Sequence, residues 1–243
     1  MTSRSPSSTR NKKKSVTDAM SDITITELPT VRDLQFVNSD KFSSKKVNIG
    51  DEVETGSFTR ASITYKYSTG VRDLCLTTPR DILLSSNGVE EEMFTNKKGT
   101  KTPTGKNIMK FFLDLDNPEH EKFYKAIMDV ETVVDKKIKE LTEDGNMTAT
   151  IRGVYDLKDD RKKVTGHVIC ARLIESGDGI VYSVAYDDEI QMDIKKIGRC
   201  TARPGLTFSY LAPDVNKTDY KINISVAQTY VVHKSLFPLR DRE

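Results

Sequence analysis

Residues 117–141 read NPEHEKFYKAIMDVETVVDKKIKEL, and the fold is decided by this stretch. Its apolar residues Phe123, Ile127, Val130, Val134, Ile138 and Leu141 recur at spacings of four and three, which places them on one stripe of an α-helix. Asn117 suits the cap of the first turn and Pro118 the first helical position, while Glu119 and Glu121 complement the positive end of the helix dipole. Lys136, Lys137 and Lys139 fall in the last turns and Gly145 follows, so the start and stop signals agree. Strand-like segments flank the helix on both sides. The expectation is one helix held against a β-rich domain, with function carried by the strands and loops around it.

Immediately before the helix, residues 108–115 alternate. Met109, Phe111, Leu113 and Leu115 are expected to face a core, while Lys110 and Phe112 share the other face. Further upstream, residues 58–67 alternate in the same way, with Ala61, Ile63, Tyr65 and Tyr67 on one side and Arg60, Ser62, Thr64 and Lys66 on the other. A short strand over 71–77 ends at Pro79. Residues 85–107 read as a long, mobile loop opened by Ser85, Ser86, Asn87 and Gly88.

After the helix, residues 147–157 and 164–173 form a hairpin across a charged turn. The turn at residues 176–179 leads into a strand over 180–186, and strands over 206–212 and 220–232 close the domain. In the last of these, Tyr220, Ile222, Ile224, Val226, Tyr230 and Val232 are expected on one face. About five to eight strands with short turns and one embedded helix point to an antiparallel barrel with an appended helix, a mostly β (α+β) domain.

The 243 residues suffice for one large domain. The charge balance, 38 basic against 36 acidic residues, gives only +2, so distribution matters more than the sum. Residues 1–20 carry Arg4, Arg10, Lys12, Lys13 and Lys14 with no acid before Asp18, and read as a disordered arm that serves as an address, a nucleic-acid arm or a solubilising tail. Ile23, Ile25 and Leu28 are candidates for an edge strand. Cys75, Cys170 and Cys200 are widely spaced and odd in number, as expected of reduced thiols in an intracellular protein. No apolar run approaches the roughly 18 to 20 residues of a membrane span, so no membrane partner is expected.

Enzyme chemistry finds little support. His120, His167 and His233 match no metal spacing with one another or with the cysteines, and no nucleotide-binding glycine motif occurs, so neither catalytic residue, metal nor cofactor is expected. Asp114 and Asp116 form an Asp-x-Asp pair that can hold Mg²⁺. Their position directly before Asn117 is explained more simply by helix-start duty.

Cationic residues lying beside aromatic ones are more telling. Lysine and arginine neutralise phosphates while flat rings stack on unpaired bases, the chemistry of single-strand nucleic-acid binding. The residues this pairing singles out are Lys66, Tyr67, Lys110, Phe112, Arg152, Arg203 and Tyr210 on strands. To these are added Lys97, Lys98, Lys101 and Lys106 in the acid-free span 93–113, and Lys195, Lys196 and Arg199 in the acid-free span 195–203.

The order of elements resembles a known family. A strand ending in Leu113-Asp114-Leu115-Asp116-Asn117-Pro118 runs into a long helix and a charged hairpin. Then Gly198-Arg199-Cys200-Thr201-Ala202-Arg203-Pro204-Gly205 enters a strand, and a long final strand follows. This is similar to the OB-fold single-stranded-DNA-binding replication proteins of podophages and large eukaryotic DNA viruses; the string Leu74-Cys75-Leu76-Thr77-Thr78-Pro79, followed by Gly88-Val89, resembles a segment of the viral members.

The resemblance implies an OB-type barrel over 58–233 with its helix at 118–141, preceded by the arm 1–20 and a weakly patterned extension 21–57 and followed by a short tail 234–243. It also implies single-strand coating in DNA replication or recombination, a homodimer, viral replication proteins as partners, and a place in the host nucleus or a viral replication compartment. One feature departs from it. Phage members end in a long acidic tail, whereas here residues 240–243 are mixed in charge, so recruitment and autoinhibition by such a tail are not expected. The alternative is a capsid-type β-sandwich with a basic packaging arm.

Overall fold

The computed structural model describes residues 34–55, 58–96, 98–141, 147–211 and 219–234. The basic arm and the edge-strand candidates Ile23, Ile25 and Leu28 lie outside them. In chain order come β1 (Val37–Asn38), β2 (Val47–Thr55), β3 (Phe58–Tyr67), β4 (Gly70–Asp73) and β5 (Cys75–Thr77). A long pair follows, β6 (Ile82–Thr95) and β7 (Lys101–Asp114), and then the helix α1 (Pro118–Leu141). After it come β8 (Thr148–Arg152), β9 (Val154–Lys158), β10 (Val164–Leu173), β11 (Val184–Asp187), β12 (Ile190–Met192), β13 (Cys200–Leu211) and β14 (Asp219–Lys234).

Five of these strands close a ring. β6 pairs with β7, β7 with β10, β10 with β14, β14 with β13, and β13 returns to β6. All the pairings are antiparallel except β10 with β14, which meet in parallel at Arg172 opposite Ser225 and Leu173 opposite Val226. The result is a mostly β, OB-type barrel, and α1 is inserted between its second and third strands. Closure rules out two separate stacked sheets, so the sandwich alternative loses its fold. The strands β2, β3 and β4 extend the barrel sheet outward through β3, where Tyr210 of β13 lies opposite Ala61.

The alternation read from the sequence places the core. Met109, Phe111 and Leu113 of β7 point inward and are buried with Ile169 and Ala171 of β10, Leu206 and Phe208 of β13, and Ile222 and Ile224 of β14. The helix contributes the stripe Phe123, Ile127, Val130, Val134 and Ile138, all buried as its spacing requires. Each such side chain contributes about 1.5–3 kcal/mol through the apolar surface it removes from water. At the helix start the Asn117 side-chain oxygen accepts the Glu119 N–H at 2.9 Å, as expected of the cap. Asp114 Oδ1 accepts the Asp116 N–H at 2.9 Å, which gives that carboxylate a turn-forming role.

The long loop expected over 85–107 is a β-hairpin instead. β6 and β7 pair up to Thr95 opposite Lys101, and the Asn96 N–H donates to the Thr100 carbonyl at 3.0 Å beyond them. The sequence hides this because the outer half of the hairpin is exposed on both faces and has no apolar alternation to display. The Ser85–Gly88 signal marks a bulge within β6, where the register shifts between Leu84 and Val89. Gly88 occupies this bulge at φ +62°, and a Cβ there would collide with the Ile197 carbonyl oxygen. Part of the extension 21–57 is also ordered sheet, since β2 pairs with β3 from Val47 opposite Tyr65 onward.

Candidate nucleic-acid interface

The outer face of β7 and β10 carries the residues that alternate away from the core. Across the two strands Ile108 lies opposite Arg172, Lys110 opposite Cys170, and Phe112 opposite Val168. These are the second and third strands of the barrel, the face on which OB folds bind oligonucleotides, and the β6–β7 turn occupies the place of the first clamping loop. A trough of about 580 Å³ runs over this face between the β6–β7 hairpin and the Arg152–Tyr155 segment.

Its lining holds four cations, Lys101, Lys110, Arg152 and Arg172, and three carboxylates, Glu90, Glu91 and Glu92. Lys110 is paired with Glu90. Arg172 donates through Nη2 to both oxygens of Glu92, at 2.9 and 2.7 Å, and Arg152 Nη2 lies 3.5 Å from the same carboxylate. Two flat rings stand along the lining with large free surfaces, Phe94 at 58% exposed and Tyr155 at 59%. On the floor burial pushes the Cys170 thiol pKa up, against the pull of the nearby Lys110 ammonium.

Of the residues singled out by the sequence, Lys101, Lys110 and Arg152 come together in this trough. Phe112 shares the face of Lys110, half-buried between Val168 and Leu83, and does not line the trough. Lys98 and Lys106 are exposed on the same hairpin outside the lining, and Lys97 lies outside the described residues. Lys66 is exposed on β3, beside β4. Lys195, Lys196 and Arg199 are exposed around the short 3-10 turn Ile194–Lys196. Arg203 braces the fold, donating to Asn38 Oδ1 at 3.0 Å and to the Thr78 carbonyl at 3.4 Å.

Two of the expected stacking rings are core residues. Tyr67 is 9% exposed and Tyr210 3%. The Tyr67 hydroxyl accepts the Cys75 N–H at 3.2 Å, and burial pushes its phenol pKa up to about 12. Tyr210 packs edge-on against Tyr220 at 5.6 Å. Neither ring is placed to stack on a base. The trough is also lined by residues that sequence reasoning did not single out, namely Arg172, Phe94, Tyr155 and the glutamates.

No protein-family model matches the chain, and no curated protein matches it. Among solved structures, it is similar to gp2.5, a single-stranded DNA binding protein encoded by bacteriophage T7, at 7% sequence identity and a TM-score of 0.46. That overlap covers 69% of this chain and 90% of the phage chain. It is also similar to the single-stranded DNA-binding protein from bacteriophage Enc34 in complex with ssDNA, at 14% identity and a TM-score of 0.42, over 79% of this chain and 98% of that one. The fold itself is assigned from the ring of strand pairings described above.

Proposed function

We propose that this chain is a non-enzymatic single-stranded DNA-binding protein of a viral replication or recombination system. The observation that carries the reading is the trough on the outer face of β7 and β10, where Lys101, Lys110, Arg152 and Arg172 lie with the exposed rings of Phe94 and Tyr155. Cations for phosphates and rings for bases, side by side in one concave surface, suit a flexible single strand. A rigid duplex keeps its bases stacked on one another and leaves such rings unused.

The viral replication setting is part of this proposal because the order of elements resembles that of the viral replication proteins. The same resemblance suggests a homodimer, replication proteins as partners, and action in the host nucleus or a viral replication compartment. Among the described residues no helix is long and apolar enough to cross a membrane.

The test is the affinity for oligo(dT) measured at several salt concentrations. Binding is expected to weaken steeply with salt, by a log–log slope of about −0.7 for each phosphate neutralised. A truncation lacking residues 1–20 is expected to retain most of the affinity, because the barrel carries the site. Absence of binding at low salt would overturn the proposal, and loss of all binding on truncation would move the site to the arm.

A further inference from the structure

Glu92 is the carboxylate of the trough lining that meets both of its arginines. Its side chain is 16% exposed and is gripped from three sides: by Arg172 of β10, by Arg152 of β8, and by the Thr104 hydroxyl, which donates to Oε2 at 3.1 Å. A carboxylate and a phosphodiester each offer one negative charge on two accessible oxygens. The arginines therefore already hold, in the free protein, an anion of the kind that a DNA backbone would bring.

A second observation concerns the backbone under Glu92. The β6–β7 register shifts between Glu91, opposite Asn107, and Met93, opposite Pro103. Glu92 therefore stands at an irregularity in the ladder, and Pro103 has no N–H to offer there. Bulges of this kind re-aim a side chain and weaken the local pairing. The other two carboxylates of the lining differ: Glu90 pairs with Lys110, and Glu91 is exposed and accepts the Gly105 N–H at 3.2 Å, with no arginine on either among the described residues.

We infer that Glu92 is a built-in stand-in for backbone phosphate, one that occupies Arg172 and Arg152 in the free protein and is displaced when a single strand enters the trough. This rests on the proposed single-strand binding and identifies the residue that sets its affinity. Displaced Glu92 keeps its charge beside the strand and offsets part of the phosphate neutralisation by the two arginines, so fewer counterions leave the DNA on binding. Removing the Glu92 charge lets both arginines neutralise phosphate in full, and more counterions are released.

The experiment is oligo(dT) binding over a range of salt concentrations by the full chain and by Glu92→Gln, Glu92→Asp and Glu91→Gln. Glu92→Gln is expected to bind about ten-fold more tightly at low salt and to have a log–log salt slope steeper by about 0.7 to 1.4, one to two phosphate equivalents. Glu92→Asp keeps the charge but withdraws it by one methylene, so it should gain affinity by a smaller factor; it also covers the case in which Glu92→Gln fails to fold. Glu91→Gln removes the same charge from the same trough without freeing an arginine, so it should gain affinity by a smaller factor than Glu92→Gln. If Glu92 only braces the hairpin, both of its variants bind more weakly or unchanged, and the inference is overturned. A gain equal in Glu92→Gln and Glu91→Gln also overturns it, by reducing the effect to net charge. Failure of the unsubstituted chain to bind at low salt would instead remove the proposed function beneath it.

Discussion

The carboxylate of Asp135 on α1 accepts the backbone N–H of Ala149 on β8 at 2.9 Å. One turn earlier Glu131 accepts the N–H of Ile151 at 2.5 Å. β8 pairs through its other edge with β14, so two helix carboxylates, spaced i and i+4, occupy the donors that an edge strand would otherwise leave open. The helix thus supplies a polar seam to the sheet as well as an apolar stripe.

Asp135→Ala is therefore expected to cost about 1–2 kcal/mol, the price of leaving a partly buried N–H without its acceptor. Burial pushes the Asp135 pKa up, but the hydrogen bonds from Lys139 and the Ala149 N–H outweigh it and hold the carboxyl below its ordinary value. The native state thus binds fewer protons than the unfolded chain in that window. Its contribution is complete above the ordinary carboxylate value and is lost as pH falls through the lower, folded one. Urea midpoints measured below about pH 4 should fall less steeply in Asp135→Asn than in the unsubstituted chain.

His120 gives a second pH-dependent term at the other end of the helix. Its ring is buried, Nδ1 accepts the Asp114 N–H at 3.1 Å, and Nε2 is buried with no hydrogen-bond partner among the described residues. Burial lowers its pKa, and the carboxylates of Asp114, Asp81 and Glu119 only partly offset this. The unfolded chain takes up a proton first, so the stabilising contribution is full above about pH 6.5 and declines below it towards the folded value. Melting temperatures recorded through this window should decline in the unsubstituted chain and stay flatter in His120→Gln. Equal declines in both would place the titration elsewhere.

Gly88 and Gly99 both have positive φ, +62° and +80°, yet their surroundings differ. A Cβ at Gly99 meets nothing within 4 Å, whereas one at Gly88 runs into the Ile197 carbonyl. Gly99→Ala should cost only the backbone strain of about 1–2 kcal/mol. Gly88→Ala should cost about 3 kcal/mol or more, because the 194–198 segment must also move off the bulge. Chemical denaturation of the two variants separates the effects, and equal costs would show that the close approach is unimportant.

The fold was legible wherever one face of an element is buried. The helix and the strands Phe58–Tyr67 and Val164–Leu173 were readable from periodicity because the core enforces it. The β6–β7 hairpin was not, since exposed strands are free to carry Glu, Thr and Lys on both faces. Tyr230 shows a subtler limit. The sequence groups it with the inward residues Ile222, Ile224 and Val226, but Ala227 is an extra residue between the Leu206–Val226 and Gly205–Gln228 pairs. This bulge inverts the alternation, and Tyr230 emerges exposed, stacked on Tyr186 at 5.1 Å. Lys110 and Phe112 were placed on the outer face correctly, and parity along β10 would have added Arg172 beside them. Tyr67 and Tyr210 were misassigned because composition alone does not separate a core ring from a stacking one.

Lys101 and Lys66 allow the trough to be tested against a general surface charge. Both are exposed lysines, but only Lys101 lines the trough. Lys101→Ala should weaken oligo(dT) binding at low salt and reduce the steepness of the log–log salt slope by about 0.7. Lys66→Ala should leave the slope unchanged. Equal effects would mean that the strand follows no particular path over the barrel.

Phe94 is the sharpest test of base contact. It belongs to the outer part of β6, opposite Thr102, where no core contact holds it and more than half of its surface is free. Its truncation should therefore leave stability within about 0.5 kcal/mol of the unsubstituted chain. If the ring stacks on a base, Phe94→Ala should cost about 1–3 kcal/mol of oligo(dT) binding, with the salt slope unchanged because no charge is involved. Phe94→Tyr should restore it, since stacking needs only a flat face. Tyr155→Ala, across the trough, should show the same pattern, whereas Tyr67→Phe, in the core, should affect stability and leave affinity alone. Unchanged affinity in both Phe94→Ala and Tyr155→Ala would mean that the strand is held by its phosphates only.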